Sequence, residues 1–279
     1  MVSRLLSAGD EVTVVDRFPS HHQGVRNVVG DILDISNISR ATQGADAILH
    51  LAGIPANGIV SDHETFSINT SLTFNSHEAA RLNGIRRVVT ASSEAVLGWA
   101  PHAQVHARLP EYLPIDENHS CRPLDAYGLS KVVSEQIASA FSERCGIEAV
   151  ALRPPWIVSP SELAALSASR GIRPNRFSLL HYIDVRDFAA ACEAAIKAPL
   201  SGFETLFVGS GESVVDQSLA EIFARFAPEL EKAAKLIPAG RAPVSIAKAQ
   251  RVLNWQPAFS WRSPARTQED DFDRAEGMR

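Results

Sequence analysis

A tyrosine and a lysine, Tyr127 and Lys131, lie four residues apart in the segment D-A-Y-G-L-S-K, and Ser92 and Ser93 end an apolar run upstream. On a helix, residues at this spacing share one face. The lysine ammonium would then favour the phenolate and lower a phenol pKa that starts near ~10. Such a phenol exchanges a proton with an alcohol or carbonyl near neutral pH, while a serine hydroxyl holds the same oxygen. These parts suit hydride transfer between a carbinol carbon and a nicotinamide.

Tyr-x-x-x-Lys is also a common spacing, and in the alternative interpretation Tyr127 only packs against its neighbours. The alternation of elements around it favours the chemical interpretation. The predicted strands are residues 11–16, 25–30, 45–52, 87–92, 147–152, 177–183 and 205–208. The predicted helices are residues 2–8, 35–43, 64–83, 126–145, 184–197, 216–226 and 245–253, with a long loop at 98–124. This order predicts an α/β fold, with a doubly wound parallel sheet covered by helices on both faces.

The polar residues of interest follow the predicted strands. Because right-handed crossovers bring the carboxyl ends of parallel strands to one edge, a ligand crevice is expected there. The residues that fall at this edge are Asp16, Asp31, Gly53, Ser92, Ser93 and Arg153.

The composition excludes several classes of protein. The chain has 279 residues, 45% of them hydrophobic, with a formal charge of -5 and no run of Lys or Arg. Neither nucleic acid nor an anionic membrane is therefore an expected partner. No apolar stretch reaches the ~18 residues of a membrane span, and residues 1–15 lack the layout of a signal peptide.

Three scattered cysteines indicate reduced thiols and a cytoplasmic protein. The histidines, which lack metal-ligand spacing, are interpreted as solvated or hydrogen-bonding.

Asp16 ends the first predicted strand and suggests a dinucleotide cofactor. A carboxylate there can accept hydrogen bonds from both adenosine ribose hydroxyls and repels a 2′-phosphate, so NAD is favoured over NADP. Arg17 beside it can pair with a phosphate and keeps NADP open. In the alternative, Asp16 only caps a turn. Asp31 could bind the adenine amino group, and Leu51, Ala52 and Gly53 offer small or backbone surfaces for close approach of a ligand.

One expected part of a dinucleotide site is missing from the sequence. A first strand and a glycine-rich turn should precede the first helix and hold the pyrophosphate. Residues 1–9 read instead as the end of that helix. We therefore expect a sheet without its central first strand, whether through a start further upstream or through truncation.

These segments together resemble the extended short-chain dehydrogenase/reductase family, in its NAD-dependent epimerase/dehydratase group. The likeness runs from about Val2 to Trp255. The segments that carry it are V-T-V-V-D-R, V-V-G-D-I, A-I-L-H-L-A-G, I-N-T-S-L-T-F-N, R-R-V-V-T-A-S-S-E-A-V-L-G, D-A-Y-G-L-S-K, V-A-L-R-P and A-K-A-Q-R-V-L-N-W-Q-P.

The resemblance implies a Rossmann-like domain over residues 1–155 and a small substrate-binding region over residues 156–265, interleaved with the last strands and helices, before a charged tail at 266–279. It implies Ser93, Tyr127 and Lys131 as the catalytic set. The implied cofactor contacts are Asp16, Arg17, Asp31, Ile32, Leu51, Ala52, Gly53, Asn69, Ser92, Tyr127, Lys131 and Pro154. Ser93, Trp156 and Arg176 are the implied substrate contacts, and Asn69 would order water or backbone near the site.

Two departures from the family pattern bear on the substrate. Trp156 stands where the nucleotide-sugar members have an asparagine, and Leu97 stands where they often have a tyrosine. The chain therefore looks more like the compact, uronate-dehydrogenase-like members. Arg170, Arg173 and Arg176 could then pair with a substrate carboxylate; in the alternative they form a solvated basic loop.

The expected function is reversible oxidation of a sugar or sugar-acid hydroxyl with NAD. A nucleotide-sugar 4-epimerase with tightly bound NAD is the first alternative, and a non-catalytic NAD(P)-binding protein or inactive fragment is the second. The family also implies a homodimer through helices 64–83 and 126–145. Val132, Ile137 and Phe141 are compatible with that contact and equally with the core.

Overall fold

The computed structural model describes residues 1–98, 109–171 and 180–263. Its strands are Thr13–Asp16 (β1), Arg26–Val29 (β2), Ala47–His50 (β3), Arg87–Ala91 (β4), Glu148–Arg153 (β5), Trp156–Val158 (β6), Tyr182–Asp184 (β7) and Phe203–Phe207 (β8). Its α-helices are Val2–Ser7 (α1), Ile35–Ala41 (α2), Asp62–Asn83 (α3), Ala126–Cys145 (α4), Pro160–Ser169 (α5), Val185–Lys197 (α6), Leu219–Phe226 (α7), Glu231–Ala234 (α8) and Ala247–Leu253 (α9). Short 3-10 turns span Glu94–Leu97 and Pro228–Leu230.

The strands form parallel sheets, as the alternating order predicts. Four of them hydrogen-bond in the order β3-β4-β5-β8. β1 and β2 form a separate parallel pair, and so do β6 and β7. Within the described residues no strand joins β1 to β3, which agrees with the expected sheet that lacks its central first strand. The ends of β4 and β5 meet at one edge, where the candidate site lies.

Helices cover both faces of the four-stranded sheet. Successive residues of a strand point to opposite faces, and in β4 Val88 packs with Ala80 of α3 and Phe141 of α4, on one face. Val89 packs on the other face with residues of α6 and α9, among them Phe188 and Leu253. Because both faces of β4 and β5 are buried, the middles of these strands are largely apolar. Arg87, Glu148 and Arg153 stand at their ends.

A third cluster of buried side chains lies beyond the carboxyl ends of the strands. Tyr182, Phe207 and Trp261 lie in it together with residues of α5 and α7. The Tyr182 hydroxyl accepts the backbone N–H of Trp261 at 3.1 Å, which ties the end of the described chain to β7. This region is packed onto the sheet edge that carries the candidate site.

Some elements differ from the prediction. α3 begins at Asp62, ahead of the predicted start, because Ser61 and Glu64 form a reciprocal capping box. β6 and α5 were not predicted; the latter is preceded by the same signal, a capping box between Ser159 and Glu162. The predicted strand at 177–183 is reduced to Tyr182–Asp184, and its earlier part lies outside the described residues. None of the helices in the described ranges is long and apolar enough for a membrane crossing.

Candidate active site

Helix α4 positions the predicted tyrosine and lysine. It begins after Asp125, whose side chain accepts the backbone N–H of Gly128 at 2.7 Å, as an N-cap aspartate does. Glycine is required at position 128, since a Cβ there would lie 2.6 Å from the carbonyl oxygen of Ala95. This close contact holds the first turn of α4, with Tyr127, against the 3-10 turn that follows β4.

Ser93 lies on the other side of that contact. It is the N-cap of the 3-10 turn, and its Oγ accepts the backbone N–H of Ala95 at 3.1 Å. The Ser93 hydroxyl lies near enough to the Tyr127 phenol to lower the phenol pKa through hydrogen bonding. The structure therefore brings two of the three predicted catalytic residues close together.

Lys131 lies one helical turn further along α4. Its Nζ donates to the carbonyl oxygen of Ala91 at 2.7 Å and lies 5.6 Å from the centroid of the Tyr127 ring. Burial lowers the pKa of Lys131 to about 8. The ammonium is thus near the ring of the tyrosine and fixed to the end of β4.

The predicted lowering of the phenol pKa by Lys131 is wrong for this structure. Burial raises the pKa of Tyr127, the hydrogen bond from Ser93 lowers it, and the nearby acids Asp125 and Glu94 raise it further. Desolvation disfavours the phenolate more than its partners favour it. The Lys131 ammonium is bonded to the strand carbonyl instead of offsetting that burial.

The Ser92 hydroxyl is bonded within the protein. Its Oγ donates to Glu135 Oε1 at 2.6 Å, and Glu135 is paired through both oxygens with Arg153 at 2.8 and 2.7 Å. All three residues are buried. Glu135 was not predicted, although it stands four residues beyond Lys131 on the same helix face. This network supports the ends of β4 and β5 beneath the site.

Asn69 of α3 braces the segment after β3. Its side chain accepts the backbone N–H of Ile54 at 2.7 Å and donates to the carbonyl oxygen of Ile54 at 3.1 Å and to Ser130 Oγ at 3.1 Å. A Cβ on Gly53 would lie 2.8 Å from Asn69 Oδ1. Asn69 therefore orders backbone at the sheet edge, the role that the resemblance implied.

The remaining predicted cofactor contacts lie at the ends of the first three strands. Asp16 and Arg17 are exposed after β1, and Asp16 Oδ1 accepts the backbone N–H of Phe18 at 3.2 Å. Asp31 is exposed after β2 and accepts the N–H of Leu33 at 2.9 Å. Both acids thus cap turns, as the alternative interpretation of Asp16 had it. Also at these strand ends are Ile32, half-buried, and Leu51 and Ala52, exposed and half-buried respectively.

The predicted substrate contacts are only partly described. Pro154, which was predicted as a cofactor contact, is buried, and its carbonyl oxygen accepts the backbone N–H of Glu94 at 3.0 Å. Trp156 is 43% exposed at the start of β6. Arg170 is an exposed residue at the carboxyl end of α5. Arg173 and Arg176 lie outside the described residues.

Two further residues reach the site without having been predicted, Glu94 and His181. Glu94 Oε2 lies 4.0 Å from His181 Nδ1, and the His181 side chain is fully buried. Within the described part of the chain, neither ring nitrogen of His181 has a hydrogen-bond partner. The interpretation of every histidine as solvated or hydrogen-bonding is therefore wrong for His181. Glu94 directly follows the predicted serine; for His181 no local pattern gave a signal.

No metal site competes with this interpretation in the described ranges. There, no group of three or more His, Cys, Asp or Glu side chains is arranged to hold a metal ion. Cys121, Cys145 and Cys192 are free thiols, and Cys121 Sγ accepts from Arg153 at 3.3 Å. The chemistry available at the site is that of the hydroxyls, the ammonium and the carboxyls.

Replacing Glu94 by glutamine should change how stability depends on pH. Burial raises the pKa of Glu94 to about 8, well above its unfolded value, so the folded state holds a proton that the unfolded state releases. The wild type therefore loses stability as pH rises toward 8. We expect the free energy of unfolding of E94Q to exceed that of the wild type at pH 7.5 by on the order of 2 kcal/mol more than at pH 5.0. Urea unfolding at both pH values measures this, with exposed Glu229→Gln as the control. An equal difference at the two pH values contradicts the burial of Glu94.

The chain has relatives among characterised enzymes. Residues 1–209 match the NAD dependent epimerase/dehydratase family. The chain is 29% identical over 207 residues to a uronate dehydrogenase of Pseudomonas syringae pv. tomato, a match that covers 74% of this chain and 65% of that protein. It is 30% identical over 167 residues to an L-arabinose 1-dehydrogenase (NAD(P)(+)) of Haloferax volcanii, covering 58% and 63%. The chain thus spans less than two thirds of the length of these curated relatives.

The fold is shared with solved structures. A short-chain dehydrogenase/reductase superfamily protein from Agrobacterium tumefaciens with bound NAD superposes with a TM-score of 0.72 at 23% identity, over 99% of this chain and 93% of that one. Its likeness establishes the Rossmann fold. With the family match over residues 1–209, it leads to one conclusion: the chain belongs to the NAD-dependent epimerase/dehydratase family.

Proposed function

We propose that the protein is an NAD-dependent oxidoreductase that reversibly oxidises a hydroxyl of a sugar-type substrate. The observation that carries the proposal is the convergence of Ser93, Tyr127 and Lys131. Ser93 and Tyr127 flank the close contact of Gly128 with Ala95, and Lys131 Nζ lies 5.6 Å from the centroid of the Tyr127 ring. The names of the relatives, a uronate dehydrogenase and an L-arabinose 1-dehydrogenase, support a sugar or sugar acid as the substrate.

Each side chain has a distinct part in this reaction. The substrate hydroxyl binds between the Ser93 hydroxyl and the Tyr127 phenol oxygen. Tyr127, in its phenolate form, accepts the hydroxyl proton and becomes the phenol as the carbon–oxygen double bond forms. The nicotinamide, when bound, supplies the hydride acceptor for the carbinol carbon. Lys131, whose pKa is lowered by burial to about 8, is charged below that pH and offsets the negative charge that develops on the phenol.

The residues at the strand ends fit an adenosine ribose and its neighbours. Asp16 uses Oδ1 for its turn, and its second oxygen would accept from a ribose hydroxyl. Asp31, exposed after β2, suits the adenine amino group. The Asn69 side chain against Gly53 fixes the backbone where the cofactor must approach closely. The chemistry of this donor set fits NAD.

Replacing Tyr127 by phenylalanine tests the proton acceptor. In the full-length protein, Y127F should lower the rate of NADH formation by about 10²- to 10⁴-fold, because the hydroxyl proton loses its acceptor while the ring and its packing remain. Nicotinamide absorbance with L-arabinose and D-galacturonate as probes measures the rate. Tyr112→Phe, at an exposed loop position, is the matched control.

The same assay separates the alternative functions. Undiminished NADH formation by Y127F would remove Tyr127 from the mechanism. A wild type that interconverts nucleotide-sugar epimers without accumulating NADH is a 4-epimerase. A wild type that binds NAD and turns over none of these compounds is a non-catalytic binding protein.

Replacing Asp16 by alanine tests the choice of cofactor. Removing the carboxylate takes away the ribose contact and the repulsion of a 2′-phosphate, and Arg17 beside it remains to pair with phosphate. The ratio of NAD to NADP affinity should fall by about tenfold or more. Titration of both cofactors by fluorescence measures the ratio, with Asp62→Ala on the first turn of α3 as the control. An unchanged ratio shows that Asp16 only caps its turn.

We also propose the homodimer that the resemblance implies. Phe141 is buried in the core, whereas Val132 and Ile137 are half-buried. The large apolar residues left exposed on α3 and α4 are Phe74, Leu82 and Leu129, at 47%, 52% and 45%. Sedimentation velocity should find a dimer that Leu82→Glu weakens; a wild-type monomer at micromolar concentration excludes this contact.

A further inference from the structure

An acid and an imidazole meet directly behind Ser93. Glu94 is the first residue of the 3-10 turn after β4, and His181 immediately precedes β7. Glu94 Oε2 and His181 Nδ1 are 4.0 Å apart, about 1 Å beyond an ordinary hydrogen bond. The two side chains face each other but form no hydrogen bond with each other.

Their polar atoms are buried. The His181 side chain is 0% exposed and that of Glu94 is 21% exposed. Glu94 Oε2 and both His181 ring nitrogens are buried and have no hydrogen-bond partner within the described ranges. Buried polar groups are nearly always hydrogen-bonded, and each one without a hydrogen-bond partner costs about 1–3 kcal/mol of stability. Three such atoms together, beside the candidate catalytic residues, point to a polar group of a ligand.

The backbone around the pair is built to hold it. A Cβ on Gly209 would lie 2.0 Å from His181 Nε2, so the ring lies directly on the backbone after β8 and any larger residue at 209 displaces it. The backbone N–H of Glu94 donates to the carbonyl oxygen of Pro154 at 3.0 Å. The pair is therefore fixed by rigid elements, as a binding site needs.

The pair is close to the reacting oxygen. Glu94 directly follows Ser93, and its charge acts on the Tyr127 phenol. Glu94 is the neighbour of Ser93 on the 3-10 turn, and its side chain is 21% exposed, so a part of a substrate next to the hydroxyl held by Ser93 comes within its reach. In a sugar, the group next to an oxidised hydroxyl is commonly another hydroxyl, which can both donate to and accept from a carboxyl group.

The surroundings of Glu94 suit an uncharged group. Its ionisation is disfavoured by burial, with no opposing contribution from a cation. A carboxylate of a substrate in the same place would lose its hydration equally and would lie against an acid. A hydroxyl carries neither cost.

We propose that Glu94, which faces His181, binds a second hydroxyl of the substrate next to the one that is oxidised, so that the site takes an uncharged sugar in preference to a sugar acid. This inference rests on the proposed function and narrows its substrate class. It departs from the uronate expectation, in which Arg170, Arg173 and Arg176 would pair with a substrate carboxylate.

Sugar binding to the full-length protein saturated with NADH tests this directly, since no hydride can leave the sugar in that complex. Ligand-observed NMR titrations compare L-arabinose with D-galacturonate at about pH 9, where Glu94, with its pKa raised by burial to about 8, is ionised. We expect the wild type to bind L-arabinose at least about tenfold more tightly. Glu94→Gln should narrow this ratio by about tenfold, because it keeps the hydrogen bonds and removes the charge. Glu94→Ala should weaken L-arabinose binding by about tenfold or more, while Glu229→Gln leaves both affinities unchanged.

The inference is overturned if the two sugars bind equally well, if the sugar acid binds more tightly, or if neither binds. It is also overturned if the ratio of the two affinities is unchanged in E94Q. Sugar binding with the expected ratio but without NADH formation from NAD overturns the proposed oxidation and leaves the hydroxyl site standing. NADH formation without the expected ratio of the two sugar affinities overturns the hydroxyl site and leaves the proposed oxidation standing. The two failures are therefore distinguishable.

Discussion

The close contact between α4 and the turn after β4 is the constraint on which the site depends. It exists because Gly128 has no side chain where Ala95 presents its carbonyl oxygen. From that contact, residues at successive turns of α4 reach the sheet. Tyr127 meets Ser93, Lys131 bonds the Ala91 carbonyl, and Glu135 bonds Ser92 and Arg153. One helix face is thereby fixed to the ends of two neighbouring strands.

Two acids near the site show how burial and pairing decide electrostatics. Glu135 is buried with Arg153, and both of its oxygens are bonded to the guanidinium, so its charge is compensated. Glu94 has no such partner in the described residues, and burial raises its pKa to about 8. The first acid holds the framework together. The second is left to interact with whatever enters the crevice, which is why it is informative about the substrate.

The same balance governs Tyr127. Helical spacing correctly predicted that Lys131 would lie near the ring, but spacing does not reveal how deeply a phenol is buried or which acceptor an ammonium prefers. Burial and the acids around Tyr127 keep the phenol protonated, and the ammonium is engaged by the strand. In the proposed reaction, the phenol becomes a base only when the charges of the loaded site favour the phenolate.

Local patterns predicted much of the framework. The bounds of α4 were predicted residue for residue, since an N-cap aspartate and a following glycine mark its ends. The short β6 and α5 were missed because the pattern after Pro154 is weak, although the Ser159 capping box was readable. The hydrogen bond of Ser92 to Glu135 was not predicted, because nothing local shows which of two adjacent serines turns inward. The meeting of Glu94 with His181 depends on β4, β7 and β8 converging, and such distant contacts leave no spacing in the sequence.

The most direct test of the central claim is the fate of the hydrogen on the oxidised carbon. Full-length protein incubated with NAD and sugar deuterated at its carbinol carbon should yield deuterated NADH by mass spectrometry, with transfer strongly slowed in Tyr127→Phe. Deuterium that stays on the sugar, or transfer at the wild-type rate in the variant, would contradict the account.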